Sequence, residues 1–290
     1  MRATHTNTVI ENTLNHDGYV IVDFLKSDEL VEVNNRVREL GYGKIHDEKF
    51  RTSIYKDPVE KLNQIFDTLS PVFQTAAKRF LQDYKLLRIV IFDKGPGGGK
   101  VSVHQHPTLV DESRYRSFAI WIPLADTTVD MGTLHVIKGS HIISNHIRSF
   151  GENQKICYDV SQRIITRYST PLLLKAGQAV ILDDRLIHWS PPNKSPWIRT
   201  AIQLELIPLD AKLAIHYRAS DTELLKYEIS EECYKVAQLS RVKPDNLKFI
   251  TKVKQKHFFY NNKQFISKII NTNPNHIKLK GNIFRRLFNL

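Results

Sequence analysis

The 290-residue sequence predicts a mainly β fold with flanking helices, and three observations predict it. Between about residues 86 and 208 the chain is a series of short β-branched and aromatic runs separated by Gly, Pro, Asp and Asn. Regular spacing of such runs is the signature of a sandwich or jelly roll. On either side the apolar residues recur every three or four positions, as in helices packed on a sheet. With 41% hydrophobic and 25% charged residues, the composition is that of a folded globular chain rather than a disordered one.

The elements follow in order. DGYVIVDFL reads as a strand after Gly18, and Ser27 can cap a helix whose apolar stripe is Leu30, Val31, Val33 and Val37. From Val59 to Tyr84 a second helical stretch carries Leu62, Ile65, Phe66, Leu69, Phe73 and Ala76, with Pro71 expected to break it in two. LLRIVIFD is a β run that ends in the loop GPGGGK. VSVHQH, FAIWIPLAD, TLHVIKGSH, TPLLLKAGQAVILDD and RTAIQLELIPL complete the strands. Beyond Tyr217, SDTELLKYEI and EECYKVAQL read as helical, and a basic tail follows.

Charge is unevenly placed. The formal net charge is +12, and residues 241–290 hold twelve Lys or Arg against one acid, Asp245. The body is therefore almost neutral, which argues against nucleic acid as the partner of the whole protein. An anionic surface or an acidic carrier protein is a possible partner for the tail, whose aromatics include Phe258, Phe259, Tyr260, Phe284 and Phe288. The alternative is a solvated basic helix that packs these aromatics on the barrel. No apolar run approaches the roughly 18 residues of a bilayer span. The N-terminus lacks an apolar secretion core. Cys157 and Cys233 stand far apart outside any CxxC pattern, so neither a disulfide framework nor a Cys-ligated zinc site is expected, and a reducing cytoplasm is the expected location.

The candidate chemistry lies in His104-Gln105-His106 and His188. Residues i and i+2 of a strand share a face, so His104 and His106 would project together, with His188 arriving from another strand. Imidazoles converging in this way can hold a transition metal with open positions left for ligands. Metal affinity is then expected to weaken below pH ~6.5, the ordinary histidine value. Eleven residues after His188, Arg199 on its own strand would need an anionic partner if it points inward, and a dicarboxylate suits its fork. GPGGGK lacks Walker A spacing and is followed by Val101, so it reads as a turn rather than a phosphate cradle.

Taken in order, these motifs resemble the phytanoyl-CoA dioxygenase family over roughly residues 17–208. DGYVIVDFL is similar to the family's N-terminal signature, and VHQHPTLVDE stands where the family has its HxD strand. WIPLADTTVDMGTLHVIKGSH and AGQAVILDDRLIHWSPPNKSPWIRTAIQLEL resemble the glycine-turn stretch and the second metal-histidine segment with its arginine strand.

The resemblance implies a double-stranded β-helix, a cupin-like jelly roll, over residues 1–217, with 218–290 as a helical, strongly basic extension. It implies an Fe(II)- and 2-oxoglutarate-dependent dioxygenase that uses O2, most often to hydroxylate an unactivated C–H bond of a small molecule or a CoA- or carrier-tethered substrate. His104 and His188 would be metal ligands, and Arg199 would hold the distal carboxylate of 2-oxoglutarate. Gln105, Trp121 and Ser190 would line the co-substrate pocket, Asn193 would shape the turn after the second histidine, and Gly132, Gly139 and Gly177 would serve as turn glycines.

One position departs from the pattern, because His106 stands where the family has an aspartate. His106 could itself ligate; Asp111, Glu112 or Asp184 could supply the carboxylate; the position could stay open for an exogenous ligand; or no iron is bound and the chain is a non-catalytic β-helix binding protein.

Overall fold

A computed structural model of the chain describes residues 4–5, 7–44, 48–151, 157, 159–239, 243–245 and 247–272. The N-terminal part runs α1 (Thr8–Asp17), β1 (Tyr19–Asp23), α2 (Ser27–Glu39), β2 (Phe50–Thr52), α3 (Ser53–Lys56) and α4 (Val59–Ala77). The central strands are β3 (Tyr84–Lys94), β4 (Val101–His104), β5 (Phe118–Pro123) and β6 (His135–Val136), then helix α5 (Gln162–Tyr168), β7 (Thr170–Pro171), β8 (Gln178–Asp183), β9 (His188–Ser190) and β10 (Arg199–Pro208). β11 (Ala214–Ser220), β12 (Glu223–Glu228), α6 (Glu231–Val236), β13 (Lys248–Lys254) and α7 (Asn262–Thr272) follow.

The strands form a six-stranded sheet in the order β1-β8-β5-β10-β3-β2 and a four-stranded sheet in the order β4-β9-β6-β7, with every pairing antiparallel. Strand alternation divides the six-stranded sheet into two faces. On β10, Ile202, Leu204 and Leu206 join Ile120 and Ile122 of β5 against Val33, Val37, Leu62, Ile65, Leu69 and Phe73 of the helices. Arg199, Gln203 and Glu205 of the same strand face a cavity on the other side. A layer of helices thus backs one face and leaves the opposite face free to build a site.

Local chemistry explains the element ends. Asn7 Oδ1 accepts from the backbone N–H groups of Val9 and Ile10 at the start of α1, and Gly18 closes that helix at φ 78°. The Pro71 break is not observed, since α4 continues through it from Val59 to Ala77. A mid-helix proline costs about 3 kcal/mol. Leu62, Ile65 and Leu69 before it and Phe73 and Ala76 after it are buried on one stripe, and that burial outweighs the cost.

The helical reading of residues 218–228 is also corrected, because β11 and β12 form a hairpin extended by β13 into a three-stranded sheet. The register shifts between Lys226 and Tyr227. That bulge puts Leu224 and Tyr227, three apart, both in buried positions and imitates a helical period. The strand crosses the expected boundary at residue 217. Ile215, Tyr227 and Tyr234 share a buried cluster with Leu87, Leu109 and Ile207, so this part of the extension packs on the barrel.

In the tail, Tyr260, Phe265 and Ile269 are buried with Trp189 of the four-stranded sheet and Ile187 just before it, and Phe258 packs against them. These aromatics therefore serve the packing reading. Phe284 and Phe288 and the basic residues around them lie outside the described residues. Among the described residues no helix is long and apolar enough to cross a membrane.

Candidate metal and co-substrate site

β4 and β9 pair antiparallel with His104 directly opposite His188, so strand register alone brings two imidazoles face to face. Their ring centroids are 4.2 Å apart. His106 lies two residues beyond the end of β4, and its ring is 4.6 Å from that of His188 and 5.7 Å from that of His104. One candidate ligand nitrogen from each of the three rings lies within 4.8 Å of the others.

Each ring is oriented through Nδ1. His104 Nδ1 is 2.7 Å from the Ser102 carbonyl oxygen, His188 Nδ1 is 2.8 Å from that of Leu186, and His106 Nδ1 is 2.9 Å from Asp184 Oδ1. With Nδ1 donating, Nε2 is left as the free lone pair of each ring, the arrangement a metal requires. Burial and the neighbouring His106 push His104 down to about 4. Burial, with His104 and His106 nearby, holds His188 well below the ordinary histidine value. Both rings are therefore neutral, and ready to ligate, well below the pH of ~6.5 expected from the unperturbed value.

The carboxylates considered for the third position separate cleanly. Asp111 bonds the Ser113 backbone N–H at 3.1 Å and its hydroxyl at 2.6 Å in an exposed turn. Glu112 is paired with both terminal nitrogens of buried Arg148, one of them at 2.9 Å, while Arg148 Nε donates to the His106 carbonyl at 2.7 Å. That pair anchors the loop after His106. Asp184 lies behind the His106 ring, and its carbonyl accepts the His106 N–H at 2.9 Å. The group among the described residues that could hold a metal ion is thus His104, His106 and His188.

The anion end is built on β10 and β3. Arg199 is 4% exposed; Nη1 donates to the Gly132 carbonyl, Nε has no partner among the described residues, and its guanidinium carbon is 5.3 Å from the Trp121 ring centre. Burial lowers it to about 10, so it stays charged. Opposite it in register is Lys94, fully buried, which donates from Nζ to Ser190 Oγ at 2.6 Å and to the Pro191 carbonyl at 2.9 Å. Burial and the Arg199 charge push Lys94 down to about 6.

Two turn residues hold this end in shape. Gly132 has φ +65°, and a Cβ there would meet the Pro191 carbonyl oxygen at 2.5 Å. Asn193 bonds the carbonyls of Lys94 at 2.8 Å and Trp197 at 2.7 Å. Gly139 and Gly177 also have positive φ, as turn glycines do.

Trp121, Ser190 and Arg199 line one cavity with the three histidines. Gln105 does not: it is buried elsewhere, and its amide donates to the Arg185 carbonyl. The cavity, of about 250 Å³, extends along β10 to Gln203 and Glu205. Six residues of strand put Glu205 roughly 20 Å from Arg199. There Glu205 accepts from Tyr234 Oη at 2.6 Å, and Arg88 Nη2 donates to the Tyr234 carbonyl and, at 3.0 Å, to that of Ala237. Tyr234 and Leu239 thereby become cavity walls. Sequence reasoning missed Lys94, Arg88 and Tyr234. The usable signal was two cations of equal parity, Arg88 and Lys94, inside a β-branched run.

Residues 14–201 match the family model described as phytanoyl-CoA dioxygenase (PhyH). The chain belongs to the phytanoyl-CoA dioxygenase family. It is 30% identical over 159 residues to phytanoyl-CoA dioxygenase 1 of Oryza sativa subsp. japonica, covering 52% of this chain and 53% of that one. It is 29% identical over 126 residues to a phytanoyl-CoA dioxygenase domain-containing protein 1 homolog of Dictyostelium discoideum, covering 41% and 45%. The chain thus spans about half the length of the curated relatives it matches.

Among solved structures, the epimerase SnoN from nogalamycin biosynthesis superposes with a TM-score of 0.53 at 13% identity, covering 87% of this chain and 96% of that one. EvdO2 from Micromonospora carbonacea var. aurantiaca, complexed with 2-oxoglutarate, gives 0.51 at 18% identity, covering 72% and 94%. These likenesses identify the fold as the jelly roll of the 2-oxoglutarate oxygenases.

Proposed function

We propose that this chain is an Fe(II)- and 2-oxoglutarate-dependent oxygenase that hydroxylates an unactivated C–H bond of a small molecule, free or tethered to CoA or a carrier. One observation carries the reading: three oriented, converging imidazoles share a cavity with a buried guanidinium whose Nε has no partner among the described residues. An isolated buried cation is costly unless an anion completes it. The site fits both the metal and the co-substrate.

In this reading His104, His106 and His188 hold Fe(II), which with O2 supplies the oxidising chemistry. Arg199 pairs with the distal carboxylate of 2-oxoglutarate, with Lys94 and Ser190 beside it and Trp121 flanking. The walls exclude water and orient the substrate. Because the cavity of about 250 Å³ must also admit 2-oxoglutarate, the part of the substrate that enters it is small.

Anaerobic titration with Fe(II) and 2-oxoglutarate should give a metal-to-ligand charge-transfer band, and aerobic incubation should release succinate. No band and no succinate would refute the assignment. The histidine at position 106 favours one rival, a β-helix protein that binds a ligand without turnover. Metal analysis of the purified protein, followed by a 2-oxoglutarate consumption assay, separates the two.

A further inference from the structure

The three imidazoles are not oriented alike. Backbone carbonyls hold His104 and His188, whereas a carboxylate holds His106. Residue 184 grips residue 106 twice, through its carbonyl to the backbone N–H and through Oδ1 to Nδ1, each at 2.9 Å, and its residue is 3% exposed. The adjacent Asp183 has a different duty. It takes Arg116 Nε at 3.1 Å and Arg185 Nε and Nη2 at 2.9 and 2.7 Å, so the two nearby guanidiniums are both engaged by Asp183. Asp184 is left facing the ring; burial raises its carboxyl above the ordinary carboxylate value, and the hydrogen bond from His106 opposes that rise.

We infer that Asp184 is a positioning residue that supplies, from behind His106, the negative charge a ligating aspartate would place directly on the metal. The inference rests on the proposed metal site. Three neutral imidazoles leave a divalent ion with its full double charge. A carboxylate one imidazole away brings the local sum down by one, as a carboxylate ligand would. It also fixes Nδ1 as the protonated nitrogen and raises the basicity of Nε2. The carboxylate has thus moved outward by one residue, and His106 fills the space between it and the metal.

The experiment uses the full chain with Co(II) as the probe, added to metal-free protein, with affinity read by calorimetry and geometry by the visible d–d spectrum. Failure of the unaltered protein to bind Co(II) or Fe(II) would sink the metal site itself. Given binding, Asp184→Asn keeps an acceptor oxygen and removes only the charge. It should weaken Co(II) by 10- to 100-fold, the usual effect of losing such a partner, and shift the d–d bands. The double variant His106→Asp, Asp184→Asn returns the carboxylate to the metal and should recover affinity to within about threefold. A merely structural Asp184 predicts no such recovery. Unchanged affinity in Asp184→Asn, or a double variant no better than the single, would overturn the inference. A measurement free of folding effects uses the unaltered Co(II) protein. Its proton NMR spectrum should contain three hyperfine-shifted, exchangeable imidazole N–H signals, and only two would overturn the inference.

Discussion

The two ends of the cavity are built by different logic. At the proposed metal and anion end, strand register places most of the candidate groups: His104 opposite His188, and Arg199 opposite Lys94. At the far end, the wall is a helix fastened by side chains, with Arg88 bonding the carbonyls of Tyr234 and Ala237, Glu205 accepting from Tyr234 Oη and Lys85 paired with Glu231. The first end lies within residues 14–201, which match the family, while α6 lies outside them. The difference teaches that one end of the cavity is set by sheet register and the other by the packing of a helix, so the two can be altered separately.

That division can be broken. His188→Ala should have the largest effect, lowering Fe(II) affinity by at least about 100-fold and abolishing succinate formation, because it removes both a ligand and its oriented ring. Tyr234→Ala, by contrast, should leave metal affinity within about threefold. If metal titration shows the two variants equally impaired, the ends are not independent.

Next in size is Arg199→Ala. Truncating one partner of a buried charge pair costs about 2–5 kcal/mol, on the order of 30- to several-thousand-fold in the Kd for 2-oxoglutarate. Fe(II) binding in the absence of 2-oxoglutarate should be unchanged, which calorimetry can test.

A pH series sharpens the role of Lys94. Pushed down to about 6, Lys94 is neutral in the free protein at pH 8. A dicarboxylate bound beside it favours the ammonium and raises its pKa. Binding at pH 8 should therefore take up a proton, and 2-oxoglutarate affinity should rise by up to about tenfold per unit as pH falls from 8 to 6, then level off. Calorimetry in buffers of different ionisation enthalpy reads the uptake, and Lys94→Met should abolish it.

The smallest effect on the chemistry is expected from Arg88→Met, which removes two of the bonds that hold the α6 segment. Limited proteolysis within residues 230–239 should accelerate several-fold while metal and 2-oxoglutarate affinities stay within about twofold. Protection equal to that of the unaltered protein would show that other contacts hold the wall.

Much of the metal and anion end could be read from the sequence because its parts are periodic or chemically distinctive. HxH spacing, a histidine on a second strand and an arginine eleven residues later survive translation into three dimensions, although His188 opens its strand instead of ending one. The barrel strands were legible for the same reason. The errors arose where tertiary structure overrides a local rule. Pro71 stays helical because residues on both sides are buried, and the bulge at Lys226/Tyr227 converts strand alternation into an apparent helical period. The pairing of Asp184 with His106 spans 78 positions, and no local pattern announces it. Gln105 was placed in the pocket by the family resemblance, whereas its amide bonds the Arg185 carbonyl, 80 positions away, a partner no local pattern announces.

β9 is only three residues long, yet it pairs with both β4 and β6 and carries His188 at its first position. So short a strand has little ladder of its own to resist fraying. An ion bound across β4 and β9 would tie together two short segments, so that loading and local order become thermodynamically linked. In a cell, the survival of the protein against proteases would then follow the iron supply, and its abundance would register that supply before any product was made.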